Sequence, residues 1–187
     1  MRVITGTARG RRLKELEGME TRPTTDRVKE GMFNALQFDI EGRRILDLFA
    51  GTGQLGIECL SRGAASAVFV DRRADAVKLI RENLKVTELS DRARVVSGDS
   101  VEFLKSLREK FDVILLDPPY EAGLLEPVIS HIAKFDILAP HGIIVAEHPV
   151  GLAMPALSAP YRLHRTYRYG KIAMTLYRRD ADEENEE

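Results

Sequence analysis

The apolar and polar positions along this chain predict an α/β fold. Short apolar runs that end in acidic or turn residues are typical of strands buried on both faces of a sheet, and they occupy residues 45–48, 67–70, 113–116 and 143–146. The stretches between them have the spacing of amphipathic helices, as in residues 73–86 and in the set Leu125, Val128, Ile129 and Ile132. Strands and helices that alternate in this way form a mainly parallel sheet with crossover helices.

Both ends of the chain depart from this alternation. Residues 2–16 predict a basic β-hairpin, and a helix is predicted from about Thr25 to Phe38 with four inward apolar residues, Val28, Met32, Ala35 and Leu36. Near the other end, the β-like runs 162–169 and 171–177 are split by Gly170, which predicts an antiparallel terminal hairpin. We expect one domain over residues 1–179, with an appendage (1–40), a core (41–179) and a disordered acidic tail (180–187).

Composition bounds the class of protein. The chain has 187 residues, of which 44% are hydrophobic, enough for a sizeable core. No apolar run approaches the ~20 residues of a membrane span, and the start has no apolar signal segment, so we expect a soluble, cytoplasmic protein. Cys59 is the only cysteine and lies on an apolar helix, which predicts a buried, unreactive thiol. With four histidines and this one thiol, no metal-ligand spacing is found, and we predict no metal site.

The formal net charge of −1 conceals a basic body. Residues 180–187 hold six acids and no base, which leaves about +5 on residues 1–179. Five basic residues precede the first acid and six more occupy an acid-free stretch near the end: Arg2, Arg9, Arg11, Arg12 and Lys14, then Arg162, Arg165, Arg168, Lys171, Arg178 and Arg179. Such clusters supply phosphate contacts to nucleic acid, whereas a lone cluster is more often a solvated surface.

The tetrapeptide Asp117-Pro118-Pro119-Tyr120 follows the third of these apolar runs directly. Two prolines cannot donate to a sheet ladder, so a stiff loop is predicted at the carboxyl end of a strand, where ligands bind in open α/β sheets. The Asp117 carboxylate and the Pro118 carbonyl are acceptors that suit an NH2 group on a flat ring, and Tyr120 could stack on that ring. The alternative is a Pro-Pro turn in which Asp117 caps a helix.

A glycine motif, residues 50–56, leads from the strand that ends near Phe49 into a helix. Gly51, Gly53 and Gly56 fit the pattern that permits a tight turn, close approach of a ligand and tight helix packing. The helix start can bind an anion, which could be a pyrophosphate or the carboxylate of an amino-acid moiety. Asp71, at the end of the next run, has the spacing of a carboxylate that binds ribose hydroxyls, although it could also cap the following helix.

These features together resemble the class I methyltransferases, which use S-adenosylmethionine. Asp47, Asp71, Asp99 and the Asp117 tetrapeptide follow successive strands in that family's order. The tetrapeptide is similar to that of enzymes that methylate exocyclic or amide nitrogens. The resemblance implies a Rossmann-like, mainly parallel seven-stranded sheet with the antiparallel hairpin at its end.

The amino-terminal third narrows the resemblance further. Residues 1–6, 9–13, 22–30 and 33–34, and the run from Asp47 to Ala64, are similar to the RsmD family of bacterial guanine-N2 methyltransferases. These enzymes act on 16S ribosomal RNA of the small subunit. Gln54 departs from the pattern, which has a small residue there, and we expect it to lie beside the bound ligand.

The resemblance implies a role for each matching residue. Catalysis is assigned to Asp117, Pro118, Pro119 and Tyr120. S-adenosylmethionine is expected to contact Asp47, Phe49, Ala50, Gly51, Thr52, Gly53, Asp71, Arg72, Asp99, Ser100 and Asp117, and Asp99 could equally be a helix N-cap. RNA is expected to contact Arg9, Arg11, Arg12, Arg22, Thr24 and Arg27, although Arg27 and Lys29 could be a helix's wet face. The expected substrate is 16S ribosomal RNA in the small subunit or its assembly intermediate, and a monomer is expected.

Three other functions stay open at this point. A DNA adenine-N6 methyltransferase could use the same tetrapeptide but would be expected to carry a target-recognition insertion. A protein glutamine-N5 methyltransferase would more often have asparagine at position 117. A noncatalytic RNA-binding module could have kept the fold, although the intact acceptors and glycines argue against it.

Overall fold

The computed structural model describes residues 1–16, 26–119 and 123–181. Five α-helices are assigned there, α1 (Asp26–Ala35), α2 (Gln54–Ser61), α3 (Ala74–Thr87), α4 (Ser100–Ser106) and α5 (Leu125–Lys134), together with one 3-10 turn (Ser90–Arg92). Seven strands are assigned: β1 (Arg44–Asp47), β2 (Ser66–Asp71), β3 (Ala93–Ser97), β4 (Phe111–Leu116), β5 (Leu138–Pro149), β6 (Tyr161–Tyr169) and β7 (Ile172–Arg179). The predictions made for Arg22, Thr24, Tyr120 and residues 182–187 lie outside the described residues.

The seven strands form one sheet in the order β3-β2-β1-β4-β5-β7-β6. Strands β1 to β5 are parallel, and β7 lies antiparallel between β5 and β6. The predicted parallel sheet with an antiparallel terminal hairpin is therefore confirmed. All five parallel strands end at the same edge, which places the residues that follow them side by side.

Strand β5 is longer than predicted. It covers Leu138–Pro149 rather than residues 143–146. The apolar pattern is interrupted at Pro140 and at His141, whose φ is +60°, and the register with β4 shifts between Phe111 and Val113. Leu138 still pairs with Phe111 beyond the irregularity, so the sheet continues where the hydrophobic pattern breaks.

The sheet has an apolar core on each face. Ile45 and Leu46, neighbours in β1, are fully buried and belong to opposite faces. One face packs against α1, α2, α3 and the amino-terminal segment (residues 1–16), and the other against α4 and α5. Each large aliphatic side chain buried in this way contributes roughly 1.5–3 kcal/mol. The predicted inward face of α5 is confirmed, because Leu125, Val128, Ile129 and Ile132 are all buried.

The amino-terminal segment is not the predicted β-hairpin. Its chain does fold back, with one bridge between Arg2 and Arg12 and a hydrogen bond from the Leu13 N–H to the Met1 carbonyl at 3.0 Å, but residues 1–16 contain no assigned strand. The reason lies in its packing: Val3, Ala8 and Leu13 are buried against the helices, so irregular spacing replaces strict alternation. The segment is therefore shaped by the surface on which it lies.

A buried carboxylate attaches this segment to the core. Glu58 of α2 is fully buried, and its two oxygens accept the N–H groups of Ile4 and Thr5 at 2.8 and 2.9 Å. The Arg62 Nε donates to the same side chain at 2.9 Å, and the Lys29 Nζ lies 3.7 Å from it. These contacts link the segment, α1 and α2 through one side chain.

The burial of Lys29 contradicts the alternative prediction that Arg27 and Lys29 form a solvent-exposed face of α1. The Lys29 side chain is 1% exposed, whereas Arg27 is exposed as predicted. Burial lowers the pKa of Lys29, and the nearby Glu58 charge opposes that change. The pattern of α1 could not reveal this, because the partner of Lys29 lies far away in sequence.

Replacement of Glu58 tests how much the buried cluster stabilises the fold. Glu58→Ala removes the acceptor of the Ile4 and Thr5 N–H groups and the carboxylate beside the buried Lys29, whose Nζ keeps a hydrogen bond to the Arg2 carbonyl at 3.2 Å. We therefore expect a loss of about 3–5 kcal/mol in the free energy of unfolding. Urea denaturation followed by circular dichroism measures it. Glu102→Ala is the control, since its exposed pair with Lys105 contributes at most about 1 kcal/mol. Equal losses in both variants would contradict a stabilising role for the cluster.

Candidate active site

A cleft of about 1110 Å³ opens at the carboxyl edge of the sheet. It is large enough for a nucleoside cofactor together with part of a second molecule. Twelve residues predicted as functional line it: Asp47, Phe49, Ala50, Gly51, Thr52, Asp71, Arg72, Asp99, Ser100, Asp117, Pro118 and Pro119. Gln54 lines the cleft too, as its place beside the glycine motif predicted. The parallel strands thus bring together residues that are up to 72 positions apart in the chain.

Carboxylates at the strand ends hold the glycine motif in place. The Gly51 N–H donates to Asp71 Oδ2 at 2.9 Å, and the Gly56 N–H donates to Asp47 Oδ2 at 3.1 Å. Gly51 and Gly53 have φ values of +55° and +81°, which favour glycine. Gly53 does not line the cleft; it is the N-cap of α2 and provides no side-chain cap. Asp47 therefore takes one N–H of the first turn of α2, that of Gly56, and the N–H groups of Gln54 and Leu55 before it can bind a ligand.

Gly56 serves packing, as its motif predicted. A Cβ atom at this position would lie 2.3 Å from a ring carbon of Phe69. The absence of a side chain lets α2 approach β2 closely. The start of α2 is thereby fixed beside the strand ends.

Asp47 is the most deeply buried acid of the cleft, with 1% of its surface exposed. Burial raises its pKa to about 7; the hydrogen bond from Gly56 opposes the rise, and the charge of Asp71 adds to it. A cation in the cleft would favour the ionised form. Asp47 is therefore suited to hold an ammonium group.

Asp99 caps the helix that follows it, whereas Asp71 does not. Asp71 accepts the N–H groups of Gly51 and Arg73, both at 2.9 Å, while the N-cap of α3 is Arg73, without a side-chain cap. Asp99 is the N-cap of α4: its Oδ1 accepts the N–H groups of Val101 and Glu102 at 2.9 and 3.1 Å. Capping at Asp99 occupies Oδ1 and is compatible with a ligand at Oδ2.

The Ser100 side chain also makes a structural hydrogen bond. Its buried hydroxyl donates to the Leu48 carbonyl at 2.7 Å, which ties α4 to the residue after β1. The side chain thus has a structural partner, although the residue lines the cleft.

Sequence reasoning missed several acids of the cleft. Glu15, Asp26 and Glu147 line it together with the four predicted aspartates, whereas the only basic residues in the described lining are Arg72 and Arg73. Glu147 follows the apolar run 143–146 as Asp117 follows 113–116, and this repeated position was a signal that could have found it. Such a lining attracts positively charged ligands.

The predicted RNA residues that the structure describes, Arg9, Arg11, Arg12 and Arg27, do not line the cleft. Arg9, Arg12 and Arg27 are exposed, while Arg11 donates to the Val86 carbonyl at 3.0 Å and pairs with Glu88 at 3.1 Å. The described part of the chain therefore presents Arg9, Arg12 and Arg27 as exposed cations and Arg11 as a paired one.

The second basic cluster is smaller than its sequence indicated. Arg178 makes two hydrogen bonds to Asp39, at 3.0 and 2.9 Å, and Arg179 is buried against Asp136. The exposed positive charge of this region comes mainly from residues of β6 and the turn after it, Arg162, Arg165, Arg168 and Lys171; of these Arg162 pairs with Asp180.

Cys59 is fully buried, and burial raises its pKa, so the thiol is unreactive as predicted. Among the described residues, no group of three or more histidine, cysteine or acidic side chains is placed to hold a metal ion. No helix in the described ranges is long and apolar enough to cross a membrane.

Residues 1–178 match the model of the family described as Conserved hypothetical protein 95. The chain belongs to this family. Ribosomal RNA small subunit methyltransferase D of Escherichia coli (strain K12) is 38% identical across 100% of this chain and 93% of its own length. The protein of the same name from Haemophilus influenzae is 39% identical across 79% of this chain and 78% of its own. The resemblance to the RsmD family is therefore confirmed.

Solved structures give the same result for the fold. A candidate methyltransferase, yhhF from Escherichia coli, superposes with a TM-score of 0.88 at 37% identity and covers 97% of this chain and 99% of that one. An RNA methyltransferase from Salinibacter ruber in complex with S-adenosyl-L-homocysteine has a TM-score of 0.66 at 20% identity, with 87% and 97% covered. The predicted class I methyltransferase fold is confirmed.

The raised pKa of Asp47 predicts how affinity for a cationic cofactor depends on pH. In the protein without cofactor, the Asp47 carboxyl is mostly protonated below pH 7, and it must lose its proton to pair with an ammonium group. We expect affinity for S-adenosylmethionine to rise with pH between 5.5 and 7, by at most about tenfold per unit, and then to level. Calorimetry up to pH 7.5 stays below the range in which an α-amino group deprotonates, roughly 7.7–8.0.

Asp47→Asn removes the titrating group, so its affinity is expected to be lower at pH 7.5 and nearly flat below it. Asp91→Asn, at an exposed position before β3, is the matched control and should follow the unmodified protein. A profile of Asp47→Asn that parallels the unmodified protein would exclude Asp47 as the source of the pH dependence.

Proposed function

We propose that this protein transfers a methyl group from S-adenosylmethionine to the exocyclic N2 amine of a guanine in 16S ribosomal RNA. The observation that carries the proposal is the placement of Asp117 and Pro118 in an acidic cleft beside the glycine motif of a class I methyltransferase fold. Full-length relatives named ribosomal RNA small subunit methyltransferase D support the substrate class.

The residues of the cleft fit the cofactor. S-adenosylmethionine carries a sulfonium and an ammonium group, and an acidic lining that includes Asp47 suits both charges. Its carboxylate suits the N–H groups of Gln54 and Leu55 at the start of α2, ahead of the Gly56 N–H that Asp47 accepts. Asp71 would accept from the ribose hydroxyls, and Asp99 from the adenine amine. When bound, the cofactor would supply an electrophilic methyl group, and cleavage of its S–CH3 bond would leave the electron pair on sulfur and release S-adenosylhomocysteine.

The chain's own part in the reaction is to position the amine. The nitrogen lone pair is delocalised into the guanine ring, so it must be localised before it can attack. Hydrogen bonds from the NH2 group to the Asp117 carboxylate and the Pro118 carbonyl would favour a more tetrahedral nitrogen and aim it at the methyl group. Once the N–C bond has formed, the nitrogen loses a proton, for which Asp117 is a neighbouring acceptor. No strong base is required before transfer.

The target base must enter the cleft unpaired or flipped, because pairing hides this amine. Tyr120 would then lie against the base. Arg9, Arg12 and Arg27 supply exposed charge for RNA phosphates, and Arg11, Arg22 and Thr24 complete the proposed contact set. We further infer that residues 1–179 act as one domain, as a monomer in the cytoplasm, on the small subunit or its assembly intermediate.

Methyl transfer from labelled S-adenosylmethionine to small ribosomal subunits tests the proposal. The subunits come from cells that lack the endogenous enzyme, and the RNA is digested to nucleosides after the reaction. We expect the label in N2-methylguanosine. Label in methyladenosine would favour an adenine-N6 enzyme, and label in protein would favour a glutamine-N5 enzyme. Tight cofactor binding without any transfer would favour a noncatalytic RNA-binding module.

Asp117→Ala separates catalysis from cofactor binding in the same assay. The variant loses the acceptor that orients the amine, so methyl transfer is expected to fall by at least about 10²-fold while cofactor affinity stays within a few-fold. Asp112→Ala is the control: it lies at the opposite end of β4, where its carboxylate accepts the Arg44 N–H. A matching collapse of cofactor affinity in Asp117→Ala would refute the proposed role.

A further inference from the structure

Glu147 is a second carboxylate in the part of the cleft where Asp117 lies. It follows the apolar run of β5, lines the cleft and is 2% exposed. A polar group that enters this part of the cleft meets two carboxylates, those of Asp117 and Glu147.

The sheet register sets Glu147 beside Asp117. Leu116 of β4 pairs with Ala146 of β5 in parallel. Asp117 and Glu147 are the residues that directly follow this pair. Neighbouring strands lie about 4.8 Å apart, so Asp117, one residue beyond the end of β4, and Glu147 of β5 start close together at this edge of the sheet. Leu124 lines the same cleft and supplies apolar surface for a flat ring.

Two neighbouring acceptors match the edge of guanine. Its N2 amine and its N1–H are adjacent donors on the Watson–Crick edge, whereas adenine presents an unprotonated N1 there. We propose that Glu147 selects guanine by accepting the N1–H, while Asp117 and Pro118 accept the N2 amine. This inference rests on the proposed function and names the residue that gives it base specificity.

The selectivity follows from the cost of a mismatch. A base with a lone pair at N1 would place that lone pair against a buried carboxylate, with neither group able to donate. Sites built to hydrogen-bond a substrate N–H reject analogues without it by roughly 10⁴–10⁵-fold. An ionised Glu147 would also favour the positive charge that develops on the neighbouring amine during transfer.

A base analogue at the target position tests this role. 2,6-Diaminopurine keeps the 2-amino group but has no proton on N1. Once the assay above has located the target, small subunits are reconstituted with guanine or 2,6-diaminopurine at that position. We expect the unmodified protein to prefer guanine by at least about 10³-fold in kcat/KM.

Glu147→Gln replaces one carboxylate oxygen by an NH2 group that can donate to an unprotonated N1. The variant is expected to lose at least about 10²-fold in kcat on guanine and to narrow the preference over 2,6-diaminopurine at least tenfold. Its cofactor affinity is expected to stay within a few-fold. A purely structural role would not alter the ratio between the two bases, so an unchanged ratio overturns the inference.

Glu109→Gln is the matched control, because this exposed glutamate pairs with Arg94 at the opposite end of the sheet. It is expected to keep both the rate and the preference. Glu147→Asp serves if the glutamine variant does not fold: it keeps the carboxylate but withdraws it by one methylene, so the preference should persist while kcat falls. An unchanged kcat in that variant would also overturn the inference.

The failure of this inference is distinguishable from failure of the proposed function. If the unmodified protein makes no N2-methylguanosine, the proposed function fails and the selecting role falls with it. If it makes N2-methylguanosine and the base preference does not depend on Glu147, only the selecting role fails.

Discussion

The geometry of the cleft depends on hydrogen bonds between strand-end carboxylates and the glycine motif. Asp71 and Asp47 each accept a backbone N–H of the motif, from Gly51 and Gly56. Both acids terminate parallel strands of a buried sheet, so their positions are fixed by the core rather than by the loop. The positive φ values of the motif are thereby held by contacts within the protein. Ligand-binding groups are presented by a rigid edge, which lowers the entropy cost of binding.

The amino-terminal segment is also connected to the glycine motif. Asn83 of α3 accepts the Lys14 N–H at 2.8 Å and donates to the carbonyls of Lys14 and Thr52, at 3.1 and 2.9 Å. One buried amide therefore connects the segment to the glycine motif. Glu58 connects it to α2, as described above. Because Met1 and Glu15 line the cleft, the segment forms one of its walls.

The cleft and the protein surface around it carry charges of opposite sign. The cleft is acidic, while exposed arginines lie on the segment and on β6. The acidic lining suits a cationic cofactor, and the outer arginines suit a polyanion. Ion pairs at Arg178 and Arg179 reduce the outer charge that the sequence alone suggested. A charge count made from the sequence gives every charged residue the same weight. Only charges that are exposed and weakly paired attract a distant partner.

The sequence by itself determined the fold class, the order of elements and most of the cleft, because hydrophobic periodicity and turn residues such as Gly51 and Pro118 act locally. Tertiary structure alone decided the irregular amino-terminal segment, the burial of Lys29 and the strand pairing that sets Glu147 next to Asp117. Each of these depends on a partner distant in the chain: Glu58 for Lys29, and the register with β4 for Glu147. Local patterns specify which face of an element is apolar, but only packing specifies which polar groups then meet.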